Sequence, residues 1–128
     1  MDQRERAVVV WLILNGRTDE ALTRLAKGFG TMAPRVKVGL PKGRKKQVLG
    51  CYEAKSRTIR LLDSGRLSDP FVVLHEFYHH LRTDVSERHR GNEKYANQFA
   101  KEFIDAFRKA QTGLMASSTG KKESQSRV

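Results

Sequence analysis

The sequence predicts an α+β fold: a small antiparallel or mixed sheet packed on a motif-bearing helix and a C-terminal helix, with further helices at the N-terminus. Three observations predict it. Between Val36 and Leu62, apolar residues fall in short runs separated by turn residues, the mark of strands and hairpins. After Ser68, two longer segments carry apolar residues at helical spacing, and each starts on a capping residue. Ahead of the strands lie an apolar block and an amphipathic segment, both of helical length.

The first element is the block Ala7-Val8-Val9-Val10-Trp11-Leu12-Ile13-Leu14, closed by Asn15-Gly16. Periodicity alone leaves a buried helix and a strand equally open here. Thr18 then stands where it can cap a second helix, with Asp19 and Glu20 favourably placed near its N-terminus. Ala21, Leu22, Leu25 and Ala26 give that helix its apolar stripe, and Gly28 and Gly30 are expected to stop it. Val36 and Val38 alternate with basic residues, and Leu40-Pro41-Lys42-Gly43 turns the chain. Val48 to Ala54 reads as a second strand, Lys55-Ser56 as a tight turn and Thr58 to Leu62 as a third strand. Asp63-Ser64-Gly65 closes the sheet.

Ser68-Asp69-Pro70 is a strong helix start, because proline fits the first helical turn. The helix should run to about Arg82, burying Phe71, Leu74, Phe77 or Tyr78, and Leu81. A polar loop follows from Thr83 to Gly91. Asn92 can cap a last helix reaching about Ala110, with Ala96, Ala100, Phe103, Ile104 and Phe107 on its packing face. Residues 1–113 are therefore expected to form a single domain, and the Ser-, Gly- and Lys-rich stretch 114–128 a disordered basic tail.

Composition narrows the function classes. A chain of 128 residues suits one core. The single Cys51 cannot form an internal disulfide, so a disulfide-stapled secreted domain is not expected. The longest apolar run, Ala7 to Leu14, is far short of the ~20 residues a spanning helix needs. No membrane partner is expected, and a cytoplasmic protein is the default. The net charge is +11, concentrated between residues 35 and 60, where nine bases face the single acid Glu53. Such a field either attracts polyanions, nucleic acid among them, or serves only as a solubilising surface.

The chemistry lies in His75-Glu76-Phe77-Tyr78-His79, which matches H-E-x-x-H. Residues four apart share one helix face, so His75 and His79 can both reach one zinc ion at ~2.0–2.1 Å. Glu76 is turned by about 100° from His75, off the metal and beside it. A catalytic zinc usually has three protein ligands and one open position. Glu93 is the favoured third ligand. It sits at the start of the packing stripe of the last helix, where a buried carboxylate needs a partner. His89, in the loop, is its main rival, and Asp84 and Glu87 are weaker ones. His80 points about 100° away from His79 and is expected either to support the site or to be exposed. Asn97, one turn after Glu93, either orients a metal-binding histidine or is a plain exposed residue.

This pattern resembles the glutamate-type zinc peptidases, the gluzincins, in which H-E-x-x-H is followed by a helix whose glutamate completes the zinc site. Asn92-Glu93-Lys94-Tyr95-Ala96-Asn97 has the form of that helix's N-E-x-x-[SA]-[DN] stretch. The segment Val73 to Leu81, followed by Glu93-Lys94-Tyr95-Ala96-Asn97-Gln98-Phe99-Ala100, looks more closely like the ImmA/IrrE type of compact metallopeptidase. The similarity covers about residues 48–107, including Gly50 and Tyr52 ahead of the motif. It implies a zincin-like fold, Zn2+ on His75, His79 and Glu93, Asn97 as an orienting residue and a peptide or protein substrate. The metzincin pattern is absent, since Arg82 and Val85 stand where glycine and histidine belong.

The expected reaction is hydrolysis of a peptide bond, with a metal-activated water and Glu76 as general base. The substrate would lie along an edge strand drawn from residues 48–62. Tyr52, Arg88, His89 and Tyr95 are candidate donors to the transition-state oxyanion. Two other readings remain at this level. One is a basic nucleic-acid-associated protein with a SprT-like or structural metal site that uses His89. The other is a latent peptidase. Oligomeric state and cleavage preference are not encoded in any motif of the chain.

Overall fold

A computed structural model describes residues 1–43, 48–83 and 92–119. Four helices and a three-stranded sheet make an α+β fold. Helix α1 spans Gln3–Leu14, which resolves the apolar block as helix. Its start is a capping box: the Asp2 carboxylate accepts the Glu5 backbone N–H at 2.8 Å, and the Glu5 side chain returns to the Asp2 backbone. Val9, Val10, Leu12 and Ile13 of this helix are buried.

Helix α2 spans Thr18–Phe29. Thr18 is not its cap, as the sequence had suggested. Arg17 holds that position, and the Thr18 hydroxyl donates to the Leu67 carbonyl across the fold. Gly28 also differs from expectation, since it lies within the helix. Gly30 ends it, with φ +69° in the left-handed region that glycine adopts without steric penalty.

The strands are β1 (Arg35–Val38), β2 (Gly50–Glu53) and β3 (Thr58–Leu61), in the order β1-β3-β2. β2 and β3 pair antiparallel through the short turn, but β1 pairs with β3 in parallel, so the sheet is mixed. The register places Val36 beside Ile59 and Val38 beside Leu61, with Tyr52 and Gly50 on the other side of that central strand. These residues form the inner face. A side chain added at Gly50 would meet Val72 Cγ1 at 3.0 Å and the Arg60 carbonyl at 3.2 Å. Only glycine lets β2 come this close to the helix beneath it.

That helix, α3, spans Pro70–Arg82 after a 3₁₀ turn at Ser64–Ser68. Asp69 is its cap and accepts the Val72 N–H at 3.3 Å, while Pro70 fills the first turn. Helix α4 spans Asn92–Thr119. It passes well beyond Ala110 and carries regular helix into the stretch from 114 that the sequence reading had assigned to a tail. Leu114, Met115 and Ala116 are strong helix formers, enough to carry the backbone past Gly113. Residues 120–128 lie outside the described residues.

One core joins these elements. It includes Val9, Ile13, Leu22, Leu25, Ile59, Leu61, Val73, Leu74, Phe77, Ala100 and Phe103. Phe77, Phe99 and Phe103 stack between α3 and α4, with the 99–103 centroids 4.8 Å apart. Ala96 and Ala100 are fully buried, which lets α4 approach α3 closely. Among the described residues no helix is long and apolar enough to cross a membrane.

Candidate metal centre

α3 is covered on two sides, by the sheet and by α4. Its buried arc is therefore wide: Val72, Val73, Leu74, Glu76, Phe77 and His80. Phe71, expected in the core, is instead 40% exposed and lies beside the His75 ring. His75 and His79 fall at the margin of this arc, one turn apart, with side chains 12% and 13% exposed.

α4 brings Glu93 across to them. The two Nε2 atoms lie 3.3 Å apart. Glu93 Oε2 is 3.0 Å from His75 Nε2, and its Oε1 is 2.7 Å from His79 Nε2. One ligand atom from each of the three side chains falls within a 4.8 Å limit of the others. Ligands at ~2.0–2.1 Å in a tetrahedral arrangement are about 3.4 Å apart, so the nitrogen pair already has the spacing of two zinc ligands. The carboxylate is nearer than that by roughly half an ångström. Its side chain is 72% exposed and has room to withdraw. Two imidazoles and one carboxylate are also the donor set that suits zinc with one position left open.

This exposure corrects the reason given for Glu93 from sequence. It does not lie buried on the packing face. It projects from the first turn of α4, ahead of the buried Ala96, and reaches the histidines from the solvent side.

Asn97 is also placed at the centre. Its Oδ1 lies 2.8 Å from His75 Nδ1. Since that oxygen can only accept, Nδ1 donates to it, and the ring is turned so that Nε2 faces His79 and Glu93.

Glu76 is buried and faces the same cleft. On one side of the triad, a cavity of about 410 Å³ is lined by Val48, Gly50, Tyr52, Ala54, Glu76 and His79, with Cys51 and Glu93 completing it. On the other, a smaller space of about 240 Å³ is lined by Leu49, Phe71, Val72, His75 and Asn97 together with shared residues. Residues 48, 50, 52 and 54 are alternate positions, so one face of β2 and its flanks forms the cleft wall. β2 is an edge of the sheet among the described residues.

His80 was left between a supporting and an exposed role, and it is buried. Its Nε2 lies 2.7 Å from the Met32 carbonyl and must donate to it. In the neutral ring Nδ1 then accepts from the Tyr52 hydroxyl at 2.7 Å. The ring thus ties α3 to β2 and to the segment after α2. Tyr52, considered as an oxyanion donor, has its hydroxyl directed at His80. Nothing in the sequence flagged this triplet beyond the alternation that puts Tyr52 on the helix side of its strand. His89, the rival ligand, together with Asp84, Glu87 and Arg88, lies outside the described residues.

Comparison with protein-family models, curated proteins and solved structures finds no match for this chain.

Proposed function

We propose that the protein is a zinc-dependent peptidase of the gluzincin kind, with His75, His79 and Glu93 as ligands and Glu76 as general base. The observation that carries this reading is the convergence of three donor side chains from two helices, 2.7–3.3 Å apart, beside a buried glutamate in a cleft bounded by an edge strand. The H-E-x-x-H spacing and the resemblance of the Glu93–Ala100 stretch support the same assignment.

Bound there, zinc supplies Lewis-acid polarisation of the scissile carbonyl and lowers the pKa of water to ≈ 7. The chain's own residues do the rest. An extended peptide lies in the cleft beside β2, with the scissile bond over the triad. As water oxygen bonds to the carbonyl carbon, Glu76 takes one of its protons. It delivers that proton to the amide nitrogen as the C–N bond breaks; the second water proton then passes from the new acid to the amine, leaving a carboxylate and an ammonium. Asn97 holds His75 in the tautomer that presents Nε2. The lone, buried Cys51 supports a reducing, cytoplasmic setting for this activity.

The test is zinc content after dialysis, measured with peptide cleavage for wild type, Glu76→Ala, Glu93→Ala and His89→Ala. The proposal expects about one zinc per chain in wild type, as a three-ligand catalytic site implies. It expects loss of zinc in Glu93→Ala, and zinc without cleavage in Glu76→Ala. Loss of zinc in His89→Ala alone would make His89 the third ligand. A wild type that takes up no zinc would end the proposal.

A further inference from the structure

The two faces of the sheet differ in chemistry. The inner face sends Val36, Ile59, Leu61 and Tyr52 to the core. The opposite face carries the alternate positions: Arg35 and Lys37 on β1, Thr58 and Arg60 on β3, Cys51 and Glu53 on β2. Cys51 and Thr58, on the two strands away from β1, are buried, whereas Arg35 and Lys37 on β1 lie outside the core cluster, and among the described residues no helix packs over them. Arg35 and Lys37 are exposed. The register sets Lys37 beside Arg60, and Arg35 beside the small Thr58. The turn between β2 and β3 adds exposed Lys55 and Arg57 at the same end of the sheet as Arg35. Among the described residues, the acid at these strand positions is Glu53, held by Arg60 Nε at 2.7 Å.

We infer that this outer face of the sheet is a nucleic-acid-binding surface, contacting the phosphate backbone through Arg35, Lys37, Lys55 and Arg60. Three arguments favour it over a merely solubilising charge. Among the described residues, bases outnumber acids at these positions, whereas a solubilising surface mixes the two signs. Arg35, Lys37 and Arg60 sit on the paired strands β1 and β3, so their placement is fixed by the sheet rather than by loops. Glu53 also registers the local field: the Arg60 hydrogen bond, and then the charges of Arg60 and Lys37, hold its carboxyl below the ordinary value.

The chemistry of the face also says how it binds. No aromatic side chain stands at these positions, so there is no platform on which an unpaired base could stack. No Asn or Gln stands there to read adenine edges. Recognition is therefore of backbone charge, without adenine readout and without preference for single strands. Such binding falls in the ~10⁻⁴–10⁻⁶ M range at physiological salt. The inference does not depend on the peptidase reading, since the metal triad lies on the other side of β2.

The experiment is fluorescence anisotropy of a labelled 20-base-pair DNA duplex across a sodium chloride series, with wild type, Arg35→Gln/Lys37→Gln, and Lys101→Gln/Lys109→Gln on α4. With about four phosphates engaged, log K should fall against log salt with a slope of about −3.6. Arg35→Gln/Lys37→Gln should reduce that slope to about −1.8 and weaken binding at least tenfold at 0.1 M salt, while circular dichroism stays native. The α4 pair should bind within about twofold of wild type, because it leaves the sheet face intact. Chelation of metal should change nothing. No salt-dependent binding, equal binding by wild type and the sheet variant, or tighter binding of polyglutamate than of DNA would overturn the inference.

Discussion

Replacing Asn97 with alanine tests whether the triad is built to hold a metal or merely crowds together. Asn97 Oδ1 accepts from His75 Nδ1 at 2.8 Å, and this bond decides which nitrogen carries the proton. Removing it lets the ring rotate and lets the proton move to Nε2, where it would compete with the metal. Loss of such an orienting partner typically costs 10–100-fold in metal affinity, or about 1.4–2.8 kcal/mol. Two features of the structure favour the lower half of that range. Asn97 is exposed, so water can replace its oxygen, and a neutral hydrogen bond in such a place contributes about 0.5–1.5 kcal/mol net. The expected loss for Asn97→Ala is therefore about tenfold. Competition with a chromophoric zinc chelator at fixed pH measures it directly. Asn97→Asp restores the acceptor with a negative charge and should bind zinc at least as tightly as wild type. An Asn97→Ala protein within threefold of wild type, or an Asn97→Asp protein as weak as the alanine variant, would refute the reasoning.

Two further outcomes follow from the sheet. Gly50→Ala should destabilise the fold by ~1–3 kcal/mol and lower the melting temperature by several degrees, because the new methyl group meets Val72 and the Arg60 carbonyl at 3.0 and 3.2 Å; Gly113→Ala, with nothing within 4 Å, should cause no loss in the same calorimetric comparison. Carbon-detected NMR titration should place the Glu53 carboxyl below the ordinary range of an exposed glutamate, because of its hydrogen bond to Arg60, and Arg60→Gln should raise it. A carboxyl depressed in the folded state contributes stability that is present above its unfolded pKa and lost as pH falls through its folded pKa. Wild type should therefore lose, on acidification, an increment of stability that Arg60→Gln never had.

Local signals carried the helices. Asp69-Pro70 marked the start of α3 because capping and proline geometry act within one turn, and the apolar spacing marked its end. The parallel pairing of β1 with β3 had no comparable signal. It joins residues more than twenty positions apart, and nothing in Arg35–Val38 distinguishes a parallel from an antiparallel partner. His80 shows the same limit. Its helical angle separated it from the metal side, but its burial depends on Tyr52 and Met32 arriving from two distant segments. Phe71 was misplaced because a single apolar stripe was assumed, whereas α3 is packed on two sides and rotates Phe71 out beside His75. Glu93 was chosen for a burial it does not have. Its reach to the histidines comes from standing at the end of a helix that two buried alanines draw close.

Strand β2 separates the cleft from the basic face through its alternation. Its even positions, Gly50 and Tyr52, turn toward α3 and line the cleft; its odd positions, Cys51 and Glu53, turn toward the basic face. A slip of one residue in the β2–β3 register would exchange the two sets. It would place the Cys51 and Glu53 side chains against α3, where Gly50 now allows close contact with Val72, and would part Glu53 from Arg60. Both penalties are paid at once, so the same register that brings β2 over the metal position also keeps the basic face almost free of acids. If both surfaces serve one substrate, it is a peptide segment presented beside a nucleic acid backbone, approaching the two faces of one strand.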